Sequence, residues 1–584
     1  MHPTSPDSGQ PLPALNDAPA PSGPRRALLL GALAAPVAAQ WPASAAAAPA
    51  PGTPGAATSP KVLRLLFNGA ESTLDPVQSA DLYSSTVLSH IFEALYGYDH
   101  LARPTRVQPR LADGLPEVSA DFRVWTVKLR RGIYFADDPA FKGQRREVVA
   151  DDVLFGFKRA VDPANKSPVA TTVLDEGVVG LAELRKAAFD GRKPFDYDAP
   201  VPGLQALDRY TVRFTLSASR PRFILNLANP SMLPAQAREV LTFYGKNIGD
   251  HPVGTGPFRL KQWVRASKIV LERNPGFREE FYNAQPAADD AEGQALLARF
   301  KGRRLPMVDE VEVSIVEENQ PQWLSFLNGQ VDALVANTGM VPIDFSLLAV
   351  PNGQLAPNLA RLGVQLHRTL RSDCAMLYFN MEDPVLGGYT PERVALRRAL
   401  SLAYDVGREI RLVRRGQAVP AHSIVLPGTT GYDPTFRSTM AEFDPARARA
   451  LLDMHGYVDR DGDGWRERPD GQPLVLTMST EPEQLCRQFN DIWRRCMTDV
   501  GIRCEFKIAQ WPINMKSALS GSLQMWMLGT SAAQPDGQEA LSNLYGPQAG
   551  EANLARFKLP AFDAVYERML SLPDGAERNQ LFHE

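Results

Sequence analysis

The residues best placed to do chemistry form a short acidic stretch late in the chain. Asp459, Asp461 and Asp463 alternate with other residues, a glycine follows, and Asp470 stands eleven residues after Asp459. This spacing mimics the calcium loop of an EF-hand, whose alternating carboxylates surround one ion. The position that normally holds a bidentate glutamate is an aspartate here, next to Pro469. Short acidic residues with glycine also form ordinary turns, so we expect a turn and assign no metal site.

Motifs for catalysis and cofactor binding are missing from the sequence. The eight histidines are scattered, and no H-E-x-x-H, G-x-S-x-G, phosphate loop or G-x-G-x-x-G occurs. We therefore predict no catalytic residues and no cofactor. A catalytic triad need not be local in sequence, so an extracytoplasmic hydrolase stays open as the alternative class of function.

The remaining residues that could do chemistry are four cysteines, Cys374, Cys486, Cys496 and Cys504. Their spacings match no zinc-binding pattern. In an oxidising compartment some of them can form disulfides, and buried free thiols explain them equally well. The sequence leaves both alternatives open.

The bulk composition is that of a soluble globular protein with more than one domain. The chain has 584 residues, of which 44% are apolar and 22% charged, and its net charge is −3. A long basic run is missing, which argues against nucleic acid as a partner.

The first 60 residues differ from the rest and predict export. They contain 13 prolines and 17 alanines, too few large apolar side chains for a packed core. Arg25-Arg26 precedes an uncharged run from Ala27 to Ala39, and Ala43-Ser44-Ala45 fits a cleavage site. The Sec and twin-arginine routes both remain open, as does a plain disordered tail. A lipid anchor at the signal's end is excluded because no cysteine precedes Cys374, so we predict a soluble periplasmic protein.

Strand and helix patterns alternate after Lys61 and indicate α/β lobes. Apolar residues with a period of two predict strands near Trp125–Leu129, Val212–Leu216 and Val311–Ile315. Asp444 followed by Pro445, and Thr390 followed by Pro391, predict helix starts.

A rigid bend stands out at residues 251–258, His-Pro-Val-Gly-Thr-Gly-Pro-Phe, and a strand-like run follows it. We expect Gly254 and Gly256 to provide backbone conformations that side chains exclude. On its own this segment is an ordinary turn.

In context, the bend resembles the P-x-G-T-G-P-[YF] landmark of the family 5 extracellular solute-binding proteins, the dipeptide- and oligopeptide-type periplasmic receptors of ABC transporters. Other motifs similar to that family's occur in the same order over about residues 61–584. They are Leu74-Asp75-Pro76, Ile91 to Tyr96, Pro109 to Ala112, Trp125 to Phe135, Ala150 to Arg159, Leu207 to Val212, Glu272 to Pro275, Asn328 to Asp332, Tyr378 to Asn380, Arg397 to Asp405, His455 to Tyr457 and Asp461 to Gly464.

The resemblance implies an α/β, two-lobed periplasmic-binding-protein fold of type II, of the large peptide-receptor class. Residues 61–98 and 201–371 would form lobe I and 99–200 its extra subdomain, after a signal and linker over 1–60. Residues 372–584 would form lobe II, with the last of them returning towards lobe I. It also implies a monomer that captures a peptide or other small solute by lobe closure and delivers it to ABC permease subunits. A sensor or chaperone with the same fold is a further alternative. Relatives continue beyond the helical pattern at residues 576–584, so we expect more chain there.

The resemblance places the ligand cleft at the first strand's end, the hinge strand and a tryptophan loop. The ligand-binding residues expected there are Asn68, Tyr83, Tyr378, Asn380, Trp511, Trp526, Thr530 and Ser531. Core packing is the competing explanation for each aromatic residue. Peptide-binding relatives often carry an aspartate three residues after a tryptophan, where it meets the ligand's amino terminus. After Trp526 that place is held by Gly529, and Asp536 is a possible replacement. The ligand is therefore a peptide or another solute.

Overall fold

The computed structural model describes residues 59–79, 81–191, 194–335, 341 and 343–584. The chain divides into compact units of residues 1–59 and 60–584, and all that follows concerns the second. The predicted signal and linker lie almost wholly outside the described residues. Among the helices that are described, none is both long enough and apolar enough to cross a bilayer.

Sixteen strands form within the described residues. They are β1 Val62–Phe67, β2 Tyr96–Tyr98, β3 Val107–Pro109, β4 Glu117–Val118, β5 Val124–Lys128, β6 Leu204–Asp208, β7 Thr211–Thr215, β8 Phe258–Val264, β9 Lys268–Arg273, β10 Glu280–Phe281, β11 Arg304–Leu305, β12 Glu310–Ile315, β13 Asp373–Phe379, β14 Val475–Thr480, β15 Arg503–Ile508 and β16 Met525–Ser531.

Eighteen α-helices surround these strands within the same described residues. They are α1 Leu82–Ile91, α2 Ala150–Val161, α3 Ala170–Asp175, α4 Leu181–Gly191, α5 Phe223–Asn226, α6 Arg238–Tyr244, α7 Ala291–Phe300, α8 Asn319–Leu327, α9 Ile343–Ala349, α10 Pro357–Arg361, α11 Pro391–Ala403, α12 Val406–Leu412, α13 Pro445–Met454, α14 Gln484–Thr498, α15 Trp511–Leu519, α16 Gln538–Ser542, α17 Pro560–Ser571 and α18 Ala576–His583.

Three four-stranded sheets organise the described chain. The first sheet has the order β1-β12-β9-β8, the second β4-β5-β7-β6, and the third β13-β16-β14-β15. Each has its own apolar core, centred for example on Val313, Phe214 and Met478 respectively. The first and third sheets mix parallel and antiparallel pairs, whereas the second is antiparallel throughout. These sheets, with helices packed against their strands, make the α/β organisation that the sequence predicts.

Local sequence patterns locate several elements well. The three alternating segments become β5, β7 and β12, and their inward residues Trp125, Val212 and Val313 are buried. Helix α13 begins at Pro445, and the Asp444 side chain accepts a hydrogen bond from the Arg447 amide at 2.8 Å. These predictions are confirmed. The sequence revealed these elements because caps and periodicity depend on a few neighbouring residues.

The second sheet extends past residue 200. Strands β6 and β7 form a hairpin, and β7 pairs with β5 so that Trp125 lies opposite Phe214. Their apolar side chains share one core with Phe157 and Phe223. The predicted end of the extra subdomain at residue 200 therefore falls between strands of one sheet.

The bend at residues 251–258 packs against the end of α1. The Gly256 amide donates to the Ile91 carbonyl at 2.8 Å, and Thr255 donates to the buried Glu93 carboxylate at 3.0 Å. A Cβ atom at Gly254 would lie 2.1 Å from the Ile91 carbonyl oxygen, and one at Gly256 would lie 2.5 Å from the His90 carbonyl oxygen. Neither glycine has a positive φ, so the expectation that they provide backbone conformations closed to other residues is wrong. They are needed for close backbone approach.

Candidate ligand-binding site

The strands of the third sheet bring several predicted residues to one edge. Strands β14, β15 and β16 run parallel, so their carboxyl ends meet there, and β13 starts at the same edge. Thr530 and Ser531 close β16 and pair with Cys374 and Asp373 at the start of β13. Thr530 is half-buried and Ser531 is exposed, so both hydroxyls stand at the rim of the sheet.

A small polar cavity of about 130 Å³ adjoins this edge. Its walls come from the end of β16, the loop around residue 429 and helix α16. The polar lining comprises Thr429, Thr530, Ser531, Asp536, Glu539, Ser542 and Asn543. Hydroxyl and amide groups in a concave site can pair with the polar groups of a small ligand.

Asp536 lines the cavity but is already neutralised. Its two carboxylate oxygens accept hydrogen bonds from Arg578 at 2.7 and 2.8 Å, and both side chains are almost fully buried. The backbone amide of Gln538 also donates to Asp536, at 2.9 Å. The suggestion that Asp536 replaces the missing aspartate beside a ligand amine is therefore contradicted, because a second cation would have to displace a buried guanidinium.

Tyr378 and Trp526 lie directly opposite each other on β13 and β16. Both are buried in one apolar cluster with Ala518, which matches the core-packing explanation. The Trp526 indole donates to Glu481 at 2.9 Å, whereas the Tyr378 hydroxyl has no hydrogen-bond partner among the described residues. Burial raises the pKa of Tyr378 to about 12.

Trp511 remains accessible at the same edge. It starts α15, is about half exposed, and its ring centroid lies 6.4 Å from that of Trp526. A large aromatic surface left open at this edge is available to pack on a ligand.

Both polar atoms of the Asn380 side chain form hydrogen bonds within the protein. Its side-chain amide donates to the Gly521 and Leu523 carbonyls, each at 2.9 Å, and its oxygen accepts from the Glu382 amide at 3.0 Å. The side chain is buried. These bonds join the end of β13 to the turn before β16, which is a structural task.

Asn68 and Tyr83 form a separate pair on the first sheet. The Tyr83 hydroxyl donates to the Asn68 side-chain oxygen at 2.7 Å, just after β1 ends. Asn68 is exposed and Tyr83 is half-buried against Phe67. The structure thus divides the predicted residues into an Asn68–Tyr83 pair, a group around Trp526, and the Thr530–Ser531 rim.

Sequence reasoning missed Glu481. It follows the last residue of β14 and accepts hydrogen bonds from Trp526 and from Asn514 at 3.0 Å. Cys486 lies beside it, with 3.7 Å between its sulfur and a Glu481 oxygen. An acidic residue placed directly after a buried strand was the available signal, since the carboxyl ends of parallel strands form the open edge.

The acidic loop forms a turn, and the cysteines are unpaired. One carboxylate oxygen from each of four residues lies within 4.8 Å of the others, and the four are Asp459, Asp461, Asp463 and Glu467. The sequence had pointed to Asp470 as the fourth carboxylate. Asp459 accepts hydrogen bonds from two glycine amides of the same loop, as expected for a turn. All four cysteines are free thiols.

A solved structure of a similar protein establishes the fold. The periplasmic binding protein DppA from Helicobacter pylori, described as ABC transporter-associated and solved with the peptide STSA, is similar with a TM-score of 0.61 at 21% identity, covering 90% of this chain and 89% of that one. The protein therefore has the two-lobed α/β fold of type II periplasmic binding proteins, as the sequence predicts.

Sequence comparison identifies the family. The model of "Bacterial extracellular solute-binding proteins, family 5 Middle" matches residues 106–552, so the chain belongs to that family. The periplasmic oligopeptide-binding protein OppA of Salmonella typhimurium is 25% identical over 88% of this chain and 82% of its own length. The glutathione-binding protein GsiB of Pectobacterium atrosepticum is 23% identical over 88% and 83%. Members of this family are binding proteins, not enzymes.

Proposed function

We propose that this protein captures a peptide or peptide-like solute between its two lobes and passes it to the membrane permease of an ABC importer. The relatives named for oligopeptides and glutathione support this ligand class. We further propose that it acts as an exported, soluble periplasmic monomer. Lobe I would comprise residues 61–98 and 216–371, with 99–215 as its extra subdomain because β6 and β7 belong to that sheet, and lobe II would comprise residues 372–584.

The polar cavity beside Thr530 and Ser531 carries this proposal. It lies at the carboxyl edge of a sheet in a two-lobed receptor, and its hydroxyl groups can donate to and accept from peptide groups. Arg578 already satisfies the buried Asp536. Glu539 also lines the cavity, so a ligand amino group would pair with this carboxylate and not with Asp536.

We propose which residues contact the solute directly and which support them, from the exposure of each side chain and from its partners within the protein. Thr530, Ser531 and Trp511 would touch the solute from lobe II, and the Asn68–Tyr83 pair from lobe I. Tyr378, Trp526 and Asn380 would support them from behind, because they are buried in contacts of their own.

Two measurements test the proposed function. Native mass spectrometry of the purified protein would identify a co-purifying ligand, and calorimetry would then titrate glutathione and peptides of two to five residues. Binding of at least one peptide is expected. If only a solute of another class binds, the peptide assignment is wrong, and turnover of the bound solute would show an enzyme instead.

A matched pair of variants locates the site. Ala532→Trp places a large ring in the cavity and should abolish binding. Ala288→Trp adds the same ring at an exposed position away from the cavity and should bind normally. Equal affinity of both variants would show that the ligand binds elsewhere.

A further inference from the structure

Arg222 joins two parts of the molecule that have separate cores. It immediately precedes Phe223, which is buried in the core of the second sheet. Its guanidinium reaches residues 534–572, here called the C-terminal segment. There Nε donates to the Gln538 side-chain oxygen at 2.6 Å and Nη1 donates to the Leu572 carbonyl at 2.8 Å. Nη2 donates to the Leu570 carbonyl. The side chain is 9% exposed.

A second contact stands beside the first. The Gln534 side-chain amide donates to the Asn226 side-chain oxygen, and Asn226 itself donates to Glu176 on the second-sheet side. Asn226 is one helical turn from Arg222, so the two residues present one polar face towards the C-terminal segment. We call the four hydrogen bonds made by Arg222 and Asn226 to this segment the bridge.

The C-terminal segment belongs with the third sheet. Thr430 donates its amide to the Pro535 carbonyl, and Gly537 donates its amide to the Thr430 carbonyl. Met381, just after β13, donates its amide to the Ala555 carbonyl at 2.8 Å. The bridge therefore links the part of the chain proposed as lobe I to the part proposed as lobe II.

The bridge is also continuous with the ligand cavity. Gln538 accepts from Arg222 and, at 3.4 Å, from Arg578. Arg578 holds Asp536 with two hydrogen bonds, and Asp536 lines the cavity. A displacement of Asp536 by a ligand would move the acceptor that Arg222 uses.

The bridge is suited to opening and closing. Arg222 is buried against carbonyl and amide oxygens, and its closest carboxylate, Asp574, is 4.0 Å away and mostly exposed. Charge-assisted hydrogen bonds to these oxygens favour the contact, while removing a guanidinium from water opposes it. Because these two terms oppose each other, a ligand that favours the closed form can shift the balance between open and closed forms.

We propose that Arg222 is a closure residue, which holds the two lobes together through the bridge and couples occupancy of the cavity to lobe closure. The coupling to a ligand rests on the proposed function, whereas the closure itself does not. Arg222 acts through Gln538 and Arg578 and touches no ligand, so it is a positioning residue.

Small-angle X-ray scattering of the solute-free protein tests closure. Arg222→Gln should have a larger radius of gyration than the wild type, because the lobes part more often. Arg220→Gln is the matched control, since Arg220 donates to the Asp175 carbonyl within its own part of the chain. Thermal unfolding would confirm that each variant is folded. Equal radii for the wild type and Arg222→Gln, or equal increases in both variants, would overturn the proposal.

Gln534→Ala provides a second route, because it removes the neighbouring bond and leaves Arg222 in place. If Arg222→Gln does not fold, the radius of gyration of Gln534→Ala is compared with that of the wild type instead. A larger radius supports the closure proposal, and an equal radius overturns it. Titration with trialanine tests the coupling: Arg222→Gln should bind about tenfold more weakly, the factor that one charge-assisted hydrogen bond in the closed state supplies. An unchanged affinity would overturn the coupling. If trialanine does not bind the wild type, glutathione replaces it as the probe. If neither glutathione nor any peptide of two to five residues binds, the peptide assignment fails while the scattering result still decides closure.

Discussion

Asp75 and Arg159 form an ion pair in the interior of the protein, 84 residues apart in sequence. Two hydrogen bonds join them, at 2.8 and 3.1 Å, and both side chains are only 1% exposed. Arg159 also donates to Gln236. The pair attaches helix α2, and with it the core of the second sheet, to the loop that follows β1.

Removal of the carboxylate from this pair should destabilise the protein strongly. Asp75→Asn leaves the buried Arg159 charge without a carboxylate to neutralise it, and we expect the free energy of unfolding to fall by about 3–5 kcal/mol. Denaturant unfolding measures the change. Asp491→Asn is the control, because the Asp491–Arg494 pair is exposed on one helix and should contribute less than about 1 kcal/mol. Similar losses in the two variants would contradict the structural role of Asp75.

A methyl group at Gly254 should disturb the bend at residues 251–258. The new Cβ would collide with the Ile91 carbonyl, and overpacking of this kind costs about 1–3 kcal/mol. Gly529→Ala is the matched control, since its Cβ would meet only one atom, at 4.0 Å. Thermal unfolding of both variants is the measurement. A Gly254→Ala protein as stable as Gly529→Ala would show that the backbone moves without cost.

The hydroxyl of Tyr378 should be dispensable for stability. Among the described residues it is buried without a partner, so Tyr378→Phe should leave the unfolding free energy unchanged or raise it by about 1 kcal/mol. Tyr404 is equally buried but donates to Glu409, and Tyr404→Phe should lose about 1–3 kcal/mol. If Tyr378→Phe instead weakens solute binding, its hydroxyl serves the ligand.

The thiol of Cys486 should ionise only at high pH. Burial and, next, the negative charge of Glu481 raise the pKa of Cys486 to about 11. The thiolate is the reactive form, so alkylation by iodoacetamide should be slow at pH 8 and accelerate as the pH rises towards 11. Glu481→Gln should lower this pKa and speed the reaction at pH 9. Peptide mass spectrometry would follow the rate.

Cys504 is the internal control for that experiment. Burial raises its pKa to about 12, and Glu481 is not among the causes. Its alkylation rate should therefore be the same in the wild type and in Glu481→Gln. Acceleration at both cysteines would indicate loosening of the structure, and an unchanged rate at Cys486 would contradict the influence of Glu481.

Much of the fold could be predicted from local signals. Alternating residues located β5, β7 and β12, and the Asp444-Pro445 pair located the start of α13. The series of motifs identified the family and the two-lobed fold. Such signals persist because caps, turns and periodicity depend on a few neighbouring residues.

The candidate site was less predictable, because side-chain roles depend on partners far along the chain. Trp526 and Tyr378 were expected in the cleft, but the register of β13 against β16 places them opposite each other in a buried cluster. Thr530 and Ser531 reached the rim of a cavity, as expected for cleft residues. Their contact with a ligand stays a prediction.

The sequence by itself determined the class of the protein, its element pattern and the importance of the bend at residues 251–258. Only the tertiary structure decided what each polar group does. It showed that Gly254 and Gly256 admit a neighbouring backbone, that Asp536 is held by Arg578, and that Arg222 reaches across to Leu570 and Leu572. The physical reason is that buried charges and close contacts are settled by partners tens to hundreds of residues away, which only the folded chain brings together.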